Sequence, residues 1–148
     1  MIINKAYQAD VNHLVDLIKE TRLYTSYFIN KDLHAIVLKA VEKEEVDVLM
    51  VDGIIVGLLW SDQYGCFNKY PYLHMLVVSK DTRHKGYGTY LLNYFEDVLY
   101  EQAGKYFLMV ADWNEAKALY EKNGYTMMTE LPSFYTENIN EYLMMKSK

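Results

Sequence analysis

The 148-residue chain contains one cysteine, Cys66, and two prolines, Pro71 and Pro132. A lone thiol permits no internal disulfide and no multi-thiol metal site, and it suits a reducing compartment. No apolar run approaches the ~20 residues that cross a bilayer. The opening residues, MIINKAYQAD, lack the continuous apolar block of a secretory signal. The protein is therefore expected in the cytoplasm, with no membrane contact and no metal. An excess of basic residues is also missing. Lys and Arg number 15 against 20 Asp and Glu, for a net charge of −5. Nucleic-acid binding draws on a basic face that displaces counterions from phosphates, so no nucleic-acid partner is expected. Internal repeats, low-complexity tracts and linkers are absent, and both prolines and Cys66 read as lying in connecting segments.

What is present suits one globular domain over residues 1–148. Hydrophobic residues make up 51% and charged residues 24%, which separates the chain from disordered sequences. Ile2 to Tyr7 reads as an opening strand. Val11, Leu14, Val15 and Ile18 recur at helical spacing behind Asp10, a candidate cap. Thr21 to Asp32 breaks that period, and Leu33, Ile36, Val37 and Val41 restore it. Asp52-Gly53 between two β-rich runs predicts a hairpin. Residues 63–71 read as a loop. Tyr72 to Val78 reads as a central strand, apolar on both faces. A helix follows with Tyr87, Leu91, Tyr94 or Phe95, and Val98 on one face, stopped at Gly104. Tyr106 to Val110 is the next strand, and the order strand, helix, strand predicts a parallel pair. A short helix from Asn114 to Asn123, stopped by Gly124, precedes closing strands at Tyr125–Thr129 and Tyr142–Lys146, with a loop between them. The fold class is mixed α/β.

The segment Arg83-His84-Lys85-Gly86-Tyr87-Gly88-Thr89 stands at the turn from a strand into a helix. Glycine lets backbone approach a ligand without an intervening Cβ. The first N–H groups of a helix lack internal partners and carry the positive end of its dipole, so such a turn holds phosphate or pyrophosphate. Arg83, His84, Lys85 and Lys80 add charge. A P-loop is excluded, since no G-x-x-x-x-G-K-[ST] occurs. A dinucleotide fingerprint needs a third glycine where Leu91 stands. A kinase glycine loop needs a far longer chain and further motifs.

Arg83 to Gly88 has the form [RQ]-x-x-G-x-[GA], and Asn114-Glu115-Ala116-Lys117-Ala118-Leu119-Tyr120-Glu121-Lys122-Asn123-Gly124-Tyr125 fills every constrained position of N-x-x-A-x-x-L-Y-x-K-x-G-[FY]. Together they resemble the two landmarks of the GNAT superfamily of N-acetyltransferases. The resemblance implies a mostly antiparallel, twisted sheet of six to seven strands, splayed at the cofactor site and flanked by about four helices. It implies acetyl-CoA as co-substrate, with pyrophosphate on the backbone of Arg83, His84, Lys85, Gly86, Tyr87, Gly88 and Thr89. The pantetheine arm would pair with the backbone of Leu76, Val77 and Val78 like an added strand, with a bulge there. Asn114 would hydrogen-bond the arm, or cap its own helix. The backbone N–H of Leu76 would serve the oxyanion, and Tyr120 would give a proton to the leaving thiolate. His74 is the candidate base for the amine, since an imidazole titrates near neutrality. Tyr72, on the same strand face, and Asp62 are weaker candidates.

The acceptor is expected to be a primary amine of a small molecule or peptide. Tyr24, Tyr27, Phe28, Tyr64, Phe67, Phe134 and Tyr135 are candidate aromatics for its pocket, and Asp32 and Asp62 are candidate anions for a second cationic centre. A homodimer through the closing strands is compatible with the pattern. The competing reading is a non-catalytic acyl-CoA sensor, or a partner-binding subunit, of the same fold.

Overall fold

The computed structural model describes residues 1–148. In chain order it runs β1 (Ile2–Lys5), α1 (Val11–Lys19), α2 (Leu33–Glu42), β2 (Val46–Val51), β3 (Ile54–Cys66), β4 (Tyr70–Val78), α3 (Tyr87–Tyr94), β5 (Lys105–Ala111), α4 (Ala116–Lys122), β6 (Thr126–Thr136) and β7 (Ile139–Ser147). The seven strands form one sheet in the order β1-β2-β3-β4-β5-β7-β6. β4 and β5 are the expected parallel pair, and the pairs β1–β2, β2–β3, β5–β7 and β6–β7 are antiparallel. This is the mixed, mostly antiparallel α/β sheet with four α-helices that the sequence suggests. The β4–β5 ladder is only Tyr72↔Phe107 and Leu73↔Leu108, so β4 from His74 onward lies outside it. By packing, the chain resolves into two compact units, residues 1–60 with 75–91 and residues 61–74 with 92–148.

In the first unit, the helical periodicities become one core. Val11, Leu14, Val15 and Ile18 of α1 pack with Leu33, Val37 and Val41 of α2, Val46 and Val48 of β2, Ile55 and Leu58 of β3, and Met75 and Val77 of β4. Each such side chain contributes roughly 1.5–3 kcal/mol when fully buried. Asp10 caps differently from expectation. Its carboxylate accepts from Tyr7 N, closing the turn before α1, and makes no bond to the α1 N–H groups. Asp32 does cap α2, accepting from Ala35 N. The break at Thr21–Asp32 is a π-helical turn over Tyr24–Phe28. The Asp52-Gly53 hairpin is present, with φ of 51° and 76°, as a two-residue turn of the primed type requires.

In the second unit, several expected loops are strands. β3 runs to Cys66 and β4 begins at Tyr70, so residues 63–71 are mostly a hairpin. Its turn uses left-handed backbone at Phe67 and Asn68, with φ of 55° and 59°. Gly65 permits this closeness, because a Cβ there would stand 2.8 Å from Tyr72 Cβ. Cys66 ends a strand, and burial pushes its thiol pKa up, away from reactivity. The segment between the closing strands is likewise the β6–β7 hairpin, turning at residues 137–138. Pro71 and Pro132 therefore lie within strands. Pro132 is tolerated because β6 is the sheet edge and the β6–β7 register shifts between Leu131 and Thr136. Leu91, Leu92 and Phe95 of the long helical segment are buried, but Val98 is 65% exposed. A π-helical turn over Phe95–Leu99 adds a residue and rotates the following face outward, while Glu96, one turn after buried Leu92, lies inside.

Candidate functional site

The first unit holds the glycine turn. After β4, Ser79 N donates to Val56 O at 2.7 Å, and a 3-10 turn over Lys80–Thr82 leads to Arg83. His84 and Gly86 have left-handed φ of 64° and 82° on either side of Lys85. Alternating handedness of this kind is how backbone N–H groups gather into anion-binding nests. The Gly86 carbonyl accepts from Tyr90 N at 3.0 Å, so Gly86 begins the helical bonding of α3. The first N–H groups of α3, from Tyr87, Gly88 and Thr89, are then free of intrahelical acceptors. A Cβ built on Gly86 would meet no atom within 4 Å. Lys80, Arg83, His84 and Lys85 are all exposed. Arg83 Nε reaches the Val78 carbonyl at 3.4 Å, which draws its side chain back toward the strand end. The result is an open, cationic, donor-lined turn on a chain of net negative charge.

Alternation along β4 buries Met75 and Val77 and leaves Leu76 and Val78 half-buried on the opposite face. A register shift lies nearby, but in β3. Val56 is the extra residue, opposite the Leu49/Met50 step of β2. Gly57, which sequence reasoning did not single out, has the Val77 carbonyl 3.0 Å from its would-be Cβ. An isolated glycine inside a strand pattern was the available signal for such close backbone approach.

The second unit holds the other candidates. Asn114 Oδ1 accepts from Ala116 N at 2.9 Å, so its capping role is real, and its amide NH2 remains a donor. Tyr120 is 6% exposed, and burial pushes its phenol pKa up, holding the hydroxyl protonated at neutral pH. His74 is exposed, with its ring edge-to-face on Tyr72 at 4.8 Å. Tyr72 shares a sheet face with Phe107 and, through the registers of β5 and β7, with Glu141. The Tyr72 phenol pKa is raised first by burial, then by a hydrogen bond and charge from Tyr135, then by Cys66 and Glu141. Glu141 is 3% exposed, a buried carboxylate that sequence reasoning passed over. Its signal was a charge in phase with Leu143 and Met145 on β7.

The two acidic candidates for a second cationic centre serve the backbone. Asp32 caps α2, and Asp62 accepts from Tyr64 N within β3. Tyr24, Tyr27 and Phe28 are half-buried in the first unit; Tyr64, Phe67, Phe134 and Tyr135 are exposed in the second. No three His, Cys, Asp or Glu side chains gather as a metal-binding group. No helix is long and apolar enough to cross a membrane.

Solved structures with this architecture are numerous, and three illustrate it. Ard1 from Thermoplasma volcanium superimposes with a TM-score of 0.82 at 23% identity, covering 99% of this chain and 96% of that one. The ribosomal-protein-alanine N-acetyltransferase from Brucella melitensis gives 0.78 at 19%, covering 100% of both chains. An aminoglycoside 6'-N-acetyltransferase complexed with coenzyme A gives 0.80 at 21%, covering 99% and 97%. At these identities the likeness is one of fold. No curated protein matches the sequence. Residues 19–148 match the family model of the acetyltransferase (GNAT) domain, which takes in the glycine turn, β4, Asn114 and Tyr120. The chain therefore belongs to the GNAT family of acetyltransferases, enzymes that draw their acetyl group from acetyl-CoA.

Proposed function

We propose that the protein transfers the acetyl group of acetyl-CoA to a primary amine of a small molecule or peptide, by direct attack in a ternary complex. The observation that carries this reading is the turn at Arg83–Thr89, where left-handed Gly86 leaves open space beside the first N–H groups of α3 and exposed Arg83 and Lys85 supply charge. Backbone donors at a helix start suit a pyrophosphate. The backbone of Leu76, Val77 and Val78, beyond the short β4–β5 ladder, would hold an extended arm as an added strand. The Asn114 amide would add a donor. Acetyl-CoA supplies the thioester that makes the acetyl group transferable.

The remaining roles belong to the chain's own groups. The amine must be neutral to attack, and at pH 7 removing its proton costs about 4–5 kcal/mol for an alkyl ammonium. His74, exposed on β4 against Tyr72, would take that proton. The backbone N–H of Leu76 would donate to the oxyanion. Tyr120 would donate its phenolic proton to the departing thiolate, and its burial keeps that proton in place. One thiol and an acetyl-CoA donor suit a cytoplasmic enzyme. A homodimer through edge strand β6, where Met127 and Met128 are half exposed, fits the same reading, and mass in solution tests it.

The deciding experiment follows free-thiol release from acetyl-CoA with four amines: kanamycin, an alanine-initiated peptide, Nα-acetyl-lysine and spermidine. Release with one class supports the reading and names the acceptor. Tight CoA binding with no release from any of them would favour the acyl-CoA sensor.

A further inference from the structure

The stop of α4 joins Tyr120 to a part-buried charge pair that acetyl transfer leaves unused. Gly124 N donates to Glu121 O at 3.1 Å and Tyr125 N to Tyr120 O at 3.0 Å. These are the paired bonds of a Schellman stop, which brings side chains on either side of the helix end together. Here those side chains are Tyr120 and Tyr125, with ring centroids 6.0 Å apart at 65°. Tyr125 is itself fully buried. Lys146 Nζ, on β7, stands 6.0 Å from the Tyr125 ring centroid and donates to Glu96 Oε2 at 2.5 Å. The Lys146 stem crosses the helix stop, with Cε 3.4 Å from the position of a Cβ on Gly124.

Glu96 is held from behind. It sits in the π-helical turn Phe95–Leu99, and the Tyr106 hydroxyl donates to the carbonyls of Glu96 and Tyr100. Its other oxygen, Oε1, and the Tyr125 hydroxyl are both sealed from solvent and fall short of a formed hydrogen bond. Glu96 nonetheless acts on Tyr125 through its charge, which after burial raises that phenol's pKa. A buried ion pair costs much desolvation and is weak evidence for stability; defining one arrangement of its neighbours is a better-attested use.

We propose that the Glu96–Lys146 pair, acting through Tyr125, positions the Tyr120 hydroxyl. The proposal rests on the reading of Tyr120 as the proton donor. Glu96, Lys146 and Tyr125 are then positioning residues, and only Tyr120 meets the reacting sulfur. The pair pins Tyr125 from the strand side, left-handed Gly124 closes the helix stop, and that stop passes the constraint to Tyr120.

Two changes test it: Tyr125→Leu, and Glu96→Gln with Lys146→Met together, which removes both charges and leaves no orphaned ion. With the fastest of the four panel amines, each should lower kcat about 10-fold, within what a misplacement of about 1 Å costs. KM for acetyl-CoA should stay within about 2-fold, because ground-state binding is untouched. In a Tyr120→Phe background neither change should lower kcat further. Additive losses, with Tyr120→Phe impaired, would overturn the positioning role and leave the acid reading standing. Full activity of Tyr120→Phe alone would overturn the acid reading instead. An acceptor-free measurement uses 3-fluorotyrosine placed at residue 120 alone. Its fluorine resonance should shift or broaden on Glu96→Gln/Lys146→Met and lose that response once Tyr125→Leu is present. An unmoved resonance refutes the coupling.

Discussion

Gly86 and Gly124 both hold left-handed backbone, at φ of 82° and 94°, yet their surroundings are opposite. Around Gly86 a Cβ would meet nothing, and around Gly124 it would rest in ordinary contact with the Lys146 side chain. Each glycine belongs to one of the two family landmarks. The first landmark makes a turn whose donors and charges face open space, as a ligand site must. The second makes a helix stop whose neighbourhood the protein fills with its own buried tyrosines and an ion pair. Glycine in a motif thus has two meanings. It can leave room for another molecule, or it can supply the left-handed backbone that packs the chain's own side chains around a helix stop.

The comparison breaks most readily at the turn. Gly86→Val puts a β-branched residue at positive φ and fills the open space, so CoA binding by calorimetry should be lost; ordinary affinity would refute the site. Next in size is Lys146→Met by itself, which strands the Glu96 carboxylate and should cost about 3–5 kcal/mol in denaturant unfolding. Tyr120→Phe should lower kcat by roughly 10- to 1000-fold, with CoA affinity nearly unchanged. Turnover equal to the parent with a chemistry-limited amine would remove Tyr120 from the mechanism. Gly124→Ala should cost about 1–2 kcal/mol for the left-handed conformation, read as a lower Tm, while CoA affinity persists. Equal loss of affinity at Gly124 and Gly86 would erase the distinction between them. Asn114→Ala is the smallest, about 1 kcal/mol for the lost cap, with a modest rise in KM for acetyl-CoA if the amide also serves the arm.

Much of the architecture was legible because its signals are local. Val11, Leu14, Val15 and Ile18 at helical spacing are all buried, and Asp52-Gly53 turns a hairpin as expected. The hairpins at residues 67–69 and 137–138 were missed because they carry no glycine or proline. They place Phe67, Asn68 and Asn138 in left-handed backbone instead. β3 and β6 outran the sequence pattern where polar residues such as Gln63 and Ser133 blurred the alternation. Val98 fell outward because a π-helical turn resets a 3.6-residue period that sequence reading assumes constant.

The candidate site divides in the same way. The turn at Arg83–Thr89 and the Asn114–Tyr125 motif around α4 were visible because each is a short, contiguous run whose glycines and caps act on their own backbone. Asp32 and Asp62 illustrate the limit, since both looked available to a cationic ligand and both bond nearby N–H groups. Glu96, Glu141 and Asp47 look like surface charges in a linear reading and are at most 3% exposed.

The sequence by itself determined the family, the glycine turn at Arg83–Thr89 and the helix that carries Tyr120, because these depend on residues only a few places apart. Tertiary structure alone decided which charges are buried and what packs against Tyr120. Glu96 and Lys146 stand 50 residues apart, and no local period records such a partnership. A carboxylate becomes tolerable inside the protein only when folding brings its cation within reach.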